Sequence, residues 1–498
     1  MSSSTDTLPA YEQLIERSKR LINLRYASMY LSWDQQVMMP AGGAPGRAQQ
    51  LSTISATAHE YLVDDEVGQW LDELAGADLT EEQAACVREL SRDYERAANV
   101  PAELVQAITQ TASENQQIWQ TAKAEDDFEA FAPRLVKLRD LTVERAEHID
   151  PSKPSYEVMY EDTHPYISIE TMEDIFETLK AELPPLVDEI RDNGRELAQP
   201  FDGEYPEEEQ MALSESVLDL LGYDRDRGRL DTAPHPFMSG NQFDARVTTR
   251  FKLDEPIDAL TATIHEFGHA TYQLGLPKEQ YGTPLGNPVY SIHESQSRFW
   301  ENHIGRTRPF MSHLVPRIEE HLSGVNDLDE EGLFEAMNRI NPDNLIRVEA
   351  DELTYHMHII LRCELDRAFV EGEIEVDEIP DLWEEKMESY LGVTPPDDTT
   401  GCLQDIHWTS RFAGFWTYTL GSMAAAQLDA TIRADLDVDE LVRAGDFDPI
   451  HDWTTENVHA HGQRYETPEL IERITGEPLT ADYFVEYAKE KFTALYGI

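Results

Sequence analysis

Lysine is scarce in this 498-residue chain: 10 of the 40 basic residues are Lys and 30 are Arg, against 97 Asp and Glu, for a formal net charge of −57. Such a surface repels phosphates, which excludes a nucleic-acid-binding protein and an anionic membrane surface as partners. Cysteine is scarcer still. Cys86, Cys363 and Cys402 are an odd number at unrelated spacings, neither a disulfide framework nor a metal knuckle, and they suit a reducing, cytoplasmic interior. No apolar run is long enough to cross a bilayer. The stretch from Met1 to Pro9 has no basic segment followed by an apolar one, so no secretory signal is expected. Repeats, low-complexity tracts and a linker are also missing. The expectation is one domain over 1–498 with a disordered tail at 1–7.

What is present argues for a folded protein. Hydrophobic residues make up 40% of the chain and there are 8 Trp, so the acid belongs to the surface and not to a disordered chain. Few Lys with many Asp and Glu reads as adaptation to molar salt, a halophilic cytoplasm. At about 1 M salt the Debye length is near 3 Å, and carboxylate repulsion is screened.

Helical periodicity runs through most of the sequence. Tyr11 to Tyr30 reads as a first helix, broken at Leu31–Gln35 and followed by a turn from Pro40 to Gly46. Helices with short turns follow from Arg47 to Ile149, then from Ser168 to Leu197 and from Glu207 to Leu221, with Gly222 as a C′ cap. Further helices are expected at Asp351–Val370, Asp381–Tyr390 and Ser410–Ala434, with a loop over Gly392–Gly401. The exception is Asn241 to Phe251, where Phe243, Ala245, Val247, Thr249 and Phe251 alternate with polar residues. A period of two means a strand, and its position suggests an edge strand holding an extended peptide.

That strand precedes Thr263-Ile264-His265-Glu266-Phe267-Gly268-His269-Ala270, a His-Glu-x-x-His sequence in a helical segment. Two histidines four apart on a helix present their imidazoles side by side to one ion of the zinc type, and the glutamate between them can work on a water there. At roughly 100° per residue, Ile257, Leu260, Ile264, Phe267 and Leu274 form an apolar stripe apart from the two histidines. A third histidine six residues after His269 is excluded, since that position is Gly275. The next helix, expected to be capped by Asn287 and Pro288, carries Glu294, Glu301 and His303. Spacing alone leaves all three open as the third ligand. His356 and His358, like His459 and His461, are two apart, cannot share one ion on a helix, and read as core or supporting residues.

Six motifs in order resemble the carboxypeptidase Taq family of thermostable metallocarboxypeptidases: His235-Pro236-Phe237, Asp244-Ala245-Arg246-Val247-Thr248, His265-Glu266-Phe267-Gly268-His269, His293-Glu294-Ser295-Gln296, Ile346-Arg347-Val348-Glu349-Ala350-Asp351 and Gly401-Cys402-Leu403-Gln404-Asp405-Ile406-His407-Trp408. The similarity starts near Leu31-Ser32-Trp33-Asp34 and covers nearly the whole chain. The resemblance implies a mainly α gluzincin-type zinc-peptidase fold with a deep substrate groove and a small β-ribbon near the metal. It also implies one Zn²⁺ per chain (Co²⁺ suits the same ligands), a homodimer, and release of C-terminal amino acids from peptides. Residue by residue it implies His265, His269 and Glu294 as metal ligands, Glu266 as general base and acid, and Arg347 as reader of the substrate's free carboxylate. Arg246 lies on the expected strand and is a candidate substrate-binding residue, since that strand is expected to line the substrate groove. His235, His407 and Tyr418 are candidate donors to the oxyanion. One departure is Ala413-Gly414-Phe415-Trp416, where the family often has Gly-Tyr-Phe-Pro; Tyr418 is retained.

The reaction this implies is metal-assisted peptide hydrolysis, in which Glu266 takes a proton from water and returns it to the leaving amine. His-Glu-Phe-Gly-His also resembles the thimet oligopeptidase type, an endopeptidase. A non-catalytic peptide-binding protein is the reading from another class. Arg347 separates exo- from endopeptidase, since only the former needs a free carboxylate.

Overall fold

Prolines stand in the first turn of many helices, at Pro9, Pro45, Pro256, Pro309, Pro380, Pro449 and Pro468, where a fixed φ and a missing N–H are tolerated. The computed structural model describes residues 8–325 and 327–498; the tail expected at 1–7 lies outside them. The order begins with α1 (Pro9–Val37), α2 (Ala44–Leu62), α3 (Asp65–Leu74), α4 (Glu81–Ala98), α5 (Ala102–Glu125), α6 (Phe128–Ile149), α7 (Ser155–Tyr160), α8 (Ile169–Asn193) and α9 (Glu207–Leu220). Strands β1 (Leu230–Thr232), β2 (Met238–Gly240) and β3 (Ala245–Thr249) follow, then α10 (Pro256–Gly275), α11 (Tyr290–Arg298), α12 (Arg308–His321) and α13 (Glu330–Met337). The last helices are α14 (Thr354–Glu371), α15 (Ile379–Leu391), α16 (Trp416–Asp435), α17 (Val438–Ala444), α18 (Asp448–Asn457), α19 (Thr467–Thr475) and α20 (Asp482–Tyr496).

The chain forms two compact units, each assembled from three stretches. One takes the residues up to Ala98, Gln199–Phe334 and Leu428–Glu477; the other takes Asn99–Ala198, Glu335–Gln427 and Pro478–Ile498.

In the first unit, α1 runs unbroken through Leu31–Gln35, where the sequence suggested a break. Trp33 is buried there, so the tryptophan anchors the helix and does not mark a turn. Gly222 adopts φ +81° after α9, as expected of a C′ cap. The strand is shorter than Asn241–Phe251, and it is not an edge. β3 pairs in parallel with β1 (Leu230 opposite Val247) and antiparallel with β2 (Met238 opposite Val247), so both its edges are occupied within a sheet of order β1-β3-β2. A peptide cannot add to β3, and the expected template role fails at that strand. Helix α10 packs on β2 and β3 and ends at Gly275 as expected. Helix α11 starts at Tyr290 with Val289 in the cap position. Asn287 has an extended backbone, so the Asn287-Pro288 cap expected from sequence is absent. After Arg298 the helix widens into a π-helical segment over Phe299–Gly305.

In the second unit, α14 begins at Thr354, three residues later than expected. The Asp351 carboxylate accepts the N–H groups of Leu353 and Thr354, both at 2.9 Å, and so caps the helix from outside. Helix α16 begins at Trp416 and not at Ser410. Before it, Ala413 has φ +57° and its N–H donates to Asp366 Oδ2 at 2.6 Å, which holds the chain out of helical geometry. Helix α5 ties down the loop ahead of that turn: Trp119 Nε1 donates to the Leu403 carbonyl at 3.0 Å and Asn115 Nδ2 to that of Thr409 at 3.3 Å.

Candidate metal centre

Helix α10 is buried along most of its length, and His265 and His269 are among its partly exposed residues. The close approach of α11 depends on Gly268. A Cβ there would stand 2.5 Å from the Gln296 carbonyl oxygen and 2.6 Å from Ser297 Cα, so only glycine lets the two helices cross at that point. The crossing brings Glu294 to the histidines: Glu294 Oε2 lies 3.4 Å from His269 Nε2 and 3.8 Å from His265 Nε2. One ligand atom from each of His265, His269 and Glu294 falls within 4.8 Å of the others, the one such cluster among the described residues.

The second nitrogen of each imidazole is already committed. His265 Nδ1 donates to Glu301 Oε2 at 2.9 Å, and His269 Nδ1 donates to the His293 carbonyl at 3.0 Å. Both Nε2 atoms are therefore left as lone-pair donors turned toward Glu294. Burial alone would raise the Glu294 carboxyl, but His265 and Arg298 outweigh it and hold it at about 2. Glu301 is held well below the usual carboxylate range, against burial, by Arg306, Arg298 and His265. His265 in turn is raised by Glu294 and Glu301 against its own burial. Two neutral imidazole nitrogens and an ionised carboxylate form the donor set of a catalytic zinc-type site.

Glu266 completes the group. Its carboxyl is buried, its Oε2 has no hydrogen-bond partner in the protein, and burial pushes its proton affinity up. A buried orphan carboxylate oxygen beside two imidazoles fits a site built around a cation and a water. The spacing of Glu294, Arg298 and Glu301, at i, i+4 and i+7, is the sequence signal for this face, but spacing does not say which carboxylate meets Nε2 and which Nδ1. His303, the other rival, sits beside Asp429 at 3.4 Å, outside the cluster.

The remaining expected residues divide between the units. In the first, Arg246 projects from β3, pairs with Asp244 at 2.7 Å and lies over the rings of Trp33 (4.3 Å) and Tyr30 (4.8 Å). His235 is exposed in the β1–β2 connection, and neither residue belongs to the cluster. In the second unit, Arg347, His407 and Tyr418 gather around Phe415. The Arg347 guanidinium stands 5.0 Å from the Phe415 ring and 5.8 Å from that of Tyr418, and the His407 ring is 5.0 Å from Phe415.

Two residues of one motif, given no role from sequence, hold this second group. Asp405, fully buried, accepts His407 Nδ1 at 2.8 Å and Arg362 Nε at 2.6 Å, and lies 3.9 Å from Arg347 Nη2. Burial would raise its carboxyl, but Arg362 and His407 hold it well below the usual range. Gln404 accepts the Arg347 N–H at 2.8 Å and donates to the Leu345 and Thr400 carbonyls at 2.9 and 2.7 Å, which ties the arginine's turn to the motif loop.

Known proteins match the chain along its length. The profile of the carboxypeptidase Taq (M32) metallopeptidases covers residues 13–492. Thermostable carboxypeptidase 1 of Thermus thermophilus is 36% identical over 98% of this chain and 99% of its own. Carboxypeptidase 1 of Bacillus subtilis is 34% identical over 97% and 98%. The solved structure of Pyrococcus furiosus carboxypeptidase superposes with a TM-score of 0.94 at 33% identity, covering 98% of this chain and all 100% of that one. That of the M32 carboxypeptidase from Deinococcus radiodurans R1 gives 0.92 at 35%, with the same coverage. Agreement of this extent, in sequence and in backbone, means that the chain belongs to the carboxypeptidase Taq (M32) family of metallopeptidases.

Proposed function

We propose that this metallocarboxypeptidase holds one zinc ion through His265, His269 and Glu294 and uses Glu266 as its general base and acid to release C-terminal amino acids from peptides. The observation that carries the reading is the convergence of three ligand atoms within 4.8 Å beside a buried carboxylate with a free oxygen. Zn²⁺ suits two imidazoles and a carboxylate, and Co²⁺ suits the same set. Such an ion, when bound, supplies Lewis acidity to a water and to the scissile carbonyl. Glu266, raised by burial, is poised to take a proton from that water and to return it to the leaving amine. Arg347, flanked by Phe415 and Tyr418, offers a planar fork to the terminal carboxylate. His407, whose Nδ1 is committed to Asp405, keeps Nε2 for the substrate; His235, Arg246 and Tyr418 are the further substrate contacts.

The names of the relatives favour a carboxypeptidase over the thimet-type endopeptidase and over a non-catalytic binding protein. Glu266→Gln should keep its metal and lose about 10²–10⁴-fold in turnover. Full activity in that variant removes Glu266 from its role, and equal cleavage of free-acid and amidated peptides removes Arg347 from its own.

The same reading extends to a homodimer in a halophilic cytoplasm. All three cysteines are free and buried, which supports a reducing compartment, and no described helix is long and apolar enough to cross a membrane.

A further inference from the structure

With 97 carboxylates in the chain, most half-buried arginines are paired: Arg134 with Glu114 at 2.6 Å, Arg227 with Asp224 at 2.7 Å and Arg433 with Asp429 at 2.8 Å. Arg411, in the second unit, departs from this. It is half-buried, and its side chain makes neither an ion pair nor a hydrogen bond among the described residues; its backbone N–H donates to the His407 carbonyl at 3.2 Å. No counter-charge lies near it in the sequence, since residues 406–428 contain no Asp or Glu, and Asp405 is committed to Arg362 and His407. Its charge reaches the start of α16: burial first, and then Arg411, lower His164 to about 3, and His164 bonds Thr417 Oγ1 at 2.7 Å. A Cβ at Gly414 would stand 3.3 Å from Arg411 Nε and 3.5 Å from its Cδ and Cζ, so the arginine lies against bare backbone there. Where the family often has the tyrosine of Gly-Tyr-Phe-Pro, this chain therefore has a glycine with a guanidinium beside it. The next residue is Phe415, the ring around which Arg347, His407 and Tyr418 gather.

We infer that Arg411 is a specificity-determining residue that takes the side-chain carboxylate of a released Asp or Glu, an inference that rests on the role proposed above for Arg347 and adds a second anion reader beside it. The terminal carboxylate sets the released residue at Arg347. That residue's side chain starts one bond from the Cα bearing the carboxylate, so an acidic side chain carries its charge to the immediate surroundings of the first. A net charge of −57 disfavours such a doubly anionic end, and a guanidinium with no internal partner offsets this at the place of binding. Its N–H donors are all open to a ligand, whereas a paired arginine would first have to leave its own carboxylate.

The test compares peptides that differ only in the last residue, Glu against Gln and Asp against Asn, with the metal-loaded full chain at one salt concentration. In wild type kcat/KM for the Glu peptide should exceed that for the Gln peptide by about 10-fold or more. Arg411→Gln should lower this ratio by about 10–100-fold, the worth of a hydrogen bond to a charged group. Arg411→Lys, which keeps the charge without the planar fork, should retain part of it. Arg411→Glu should shift the preference to peptides ending in Lys or Arg, a gain that a folding defect cannot produce. A wild type that prefers Gln, a ratio that Arg411→Gln leaves within about twofold, or an equal fall on both peptides overturns the inference. Amidated forms of the Gln peptide separate it from the reading beneath it. If amide and free acid are cleaved alike, Arg347 does not read the terminus and both readings fall. If the free acid alone is cleaved, an unaltered Glu-to-Gln ratio removes Arg411 and leaves Arg347 in place.

Discussion

Glu301→Gln removes the negative charge from a carboxylate shared by three donors: His265 Nδ1 at 2.9 Å, Arg298 Nη1 at 3.2 Å and Arg306 Nη2 at 2.7 Å. The amide oxygen can still accept from one of them, so the ring of His265 keeps its orientation, but the bond is no longer charge-assisted. Arg306 and Arg298 then lose this counter-charge close to that ring, although Arg298 keeps its pair with Glu294 at 3.0 Å. Both changes make Nε2 a poorer donor. Loss of such a supporting partner lowers metal affinity by about 10–100-fold, or about 1.4–2.7 kcal/mol. Glu301→Gln should fall in that range, whereas Glu294→Gln, which alters a proposed ligand, should lose far more. Competition against a chromogenic chelator at fixed pH measures both. Affinity within twofold of wild type in Glu301→Gln would mean that the His265–Glu301 contact does not tune the site. Glu301→Ala is the harsher change. It takes one carboxylate away from two partly buried guanidinium groups, of which Arg298 still pairs with Glu294 at 3.0 Å, so folding stability, read from the urea midpoint, should drop by up to about 3 kcal/mol.

Gly268→Ala should destabilise the fold by about 1–3 kcal/mol, because the added Cβ meets backbone of α11 that cannot give way like a side chain. Its metal affinity should fall too, since Glu294 moves with that helix; a midpoint unchanged to within about 0.5 kcal/mol would contradict the packing argument. His164 is fully buried between Thr163 and Thr417, and burial lowers it from 6.5 to about 3. Below pH 6.5 the unfolded chain therefore binds a proton that the folded chain refuses, so stability falls as pH falls, by up to about 1.4 kcal/mol per pH unit for each such residue. His358 and His459, also lowered to about 3 by burial, add to the same slope, and His164→Asn should reduce it between pH 6.5 and 5 by close to one proton. Thermal midpoints should rise from dilute buffer to about 2–3 M KCl at equal pH, and flat midpoints would sink the halophilic reading.

The helix-borne part of the site was legible in the sequence because it is local: His265, Glu266 and His269 stand one turn apart, and helical geometry alone puts the two imidazoles together. Composition likewise determined the acidic surface and the lack of a disulfide framework, and ordered motifs carried the family. What the tertiary structure decided is contact between stretches distant in the chain. A period of two announces a strand but not its neighbours, so β3 read as an edge until β1 and β2 were seen on both sides of it. Spacing offered Glu294, Glu301 and His303 alike. The crossing at Gly268 turns Glu294 to the two Nε2 atoms and Glu301 to Nδ1 of His265. Trp33 suggested a helix break because its burial could not be foreseen, and Gln404 and Asp405 had no visible task until the fold set them against Arg347 and His407. In each case the residue type was readable in one dimension, while its role depended on a partner that only folding brings within hydrogen-bonding distance.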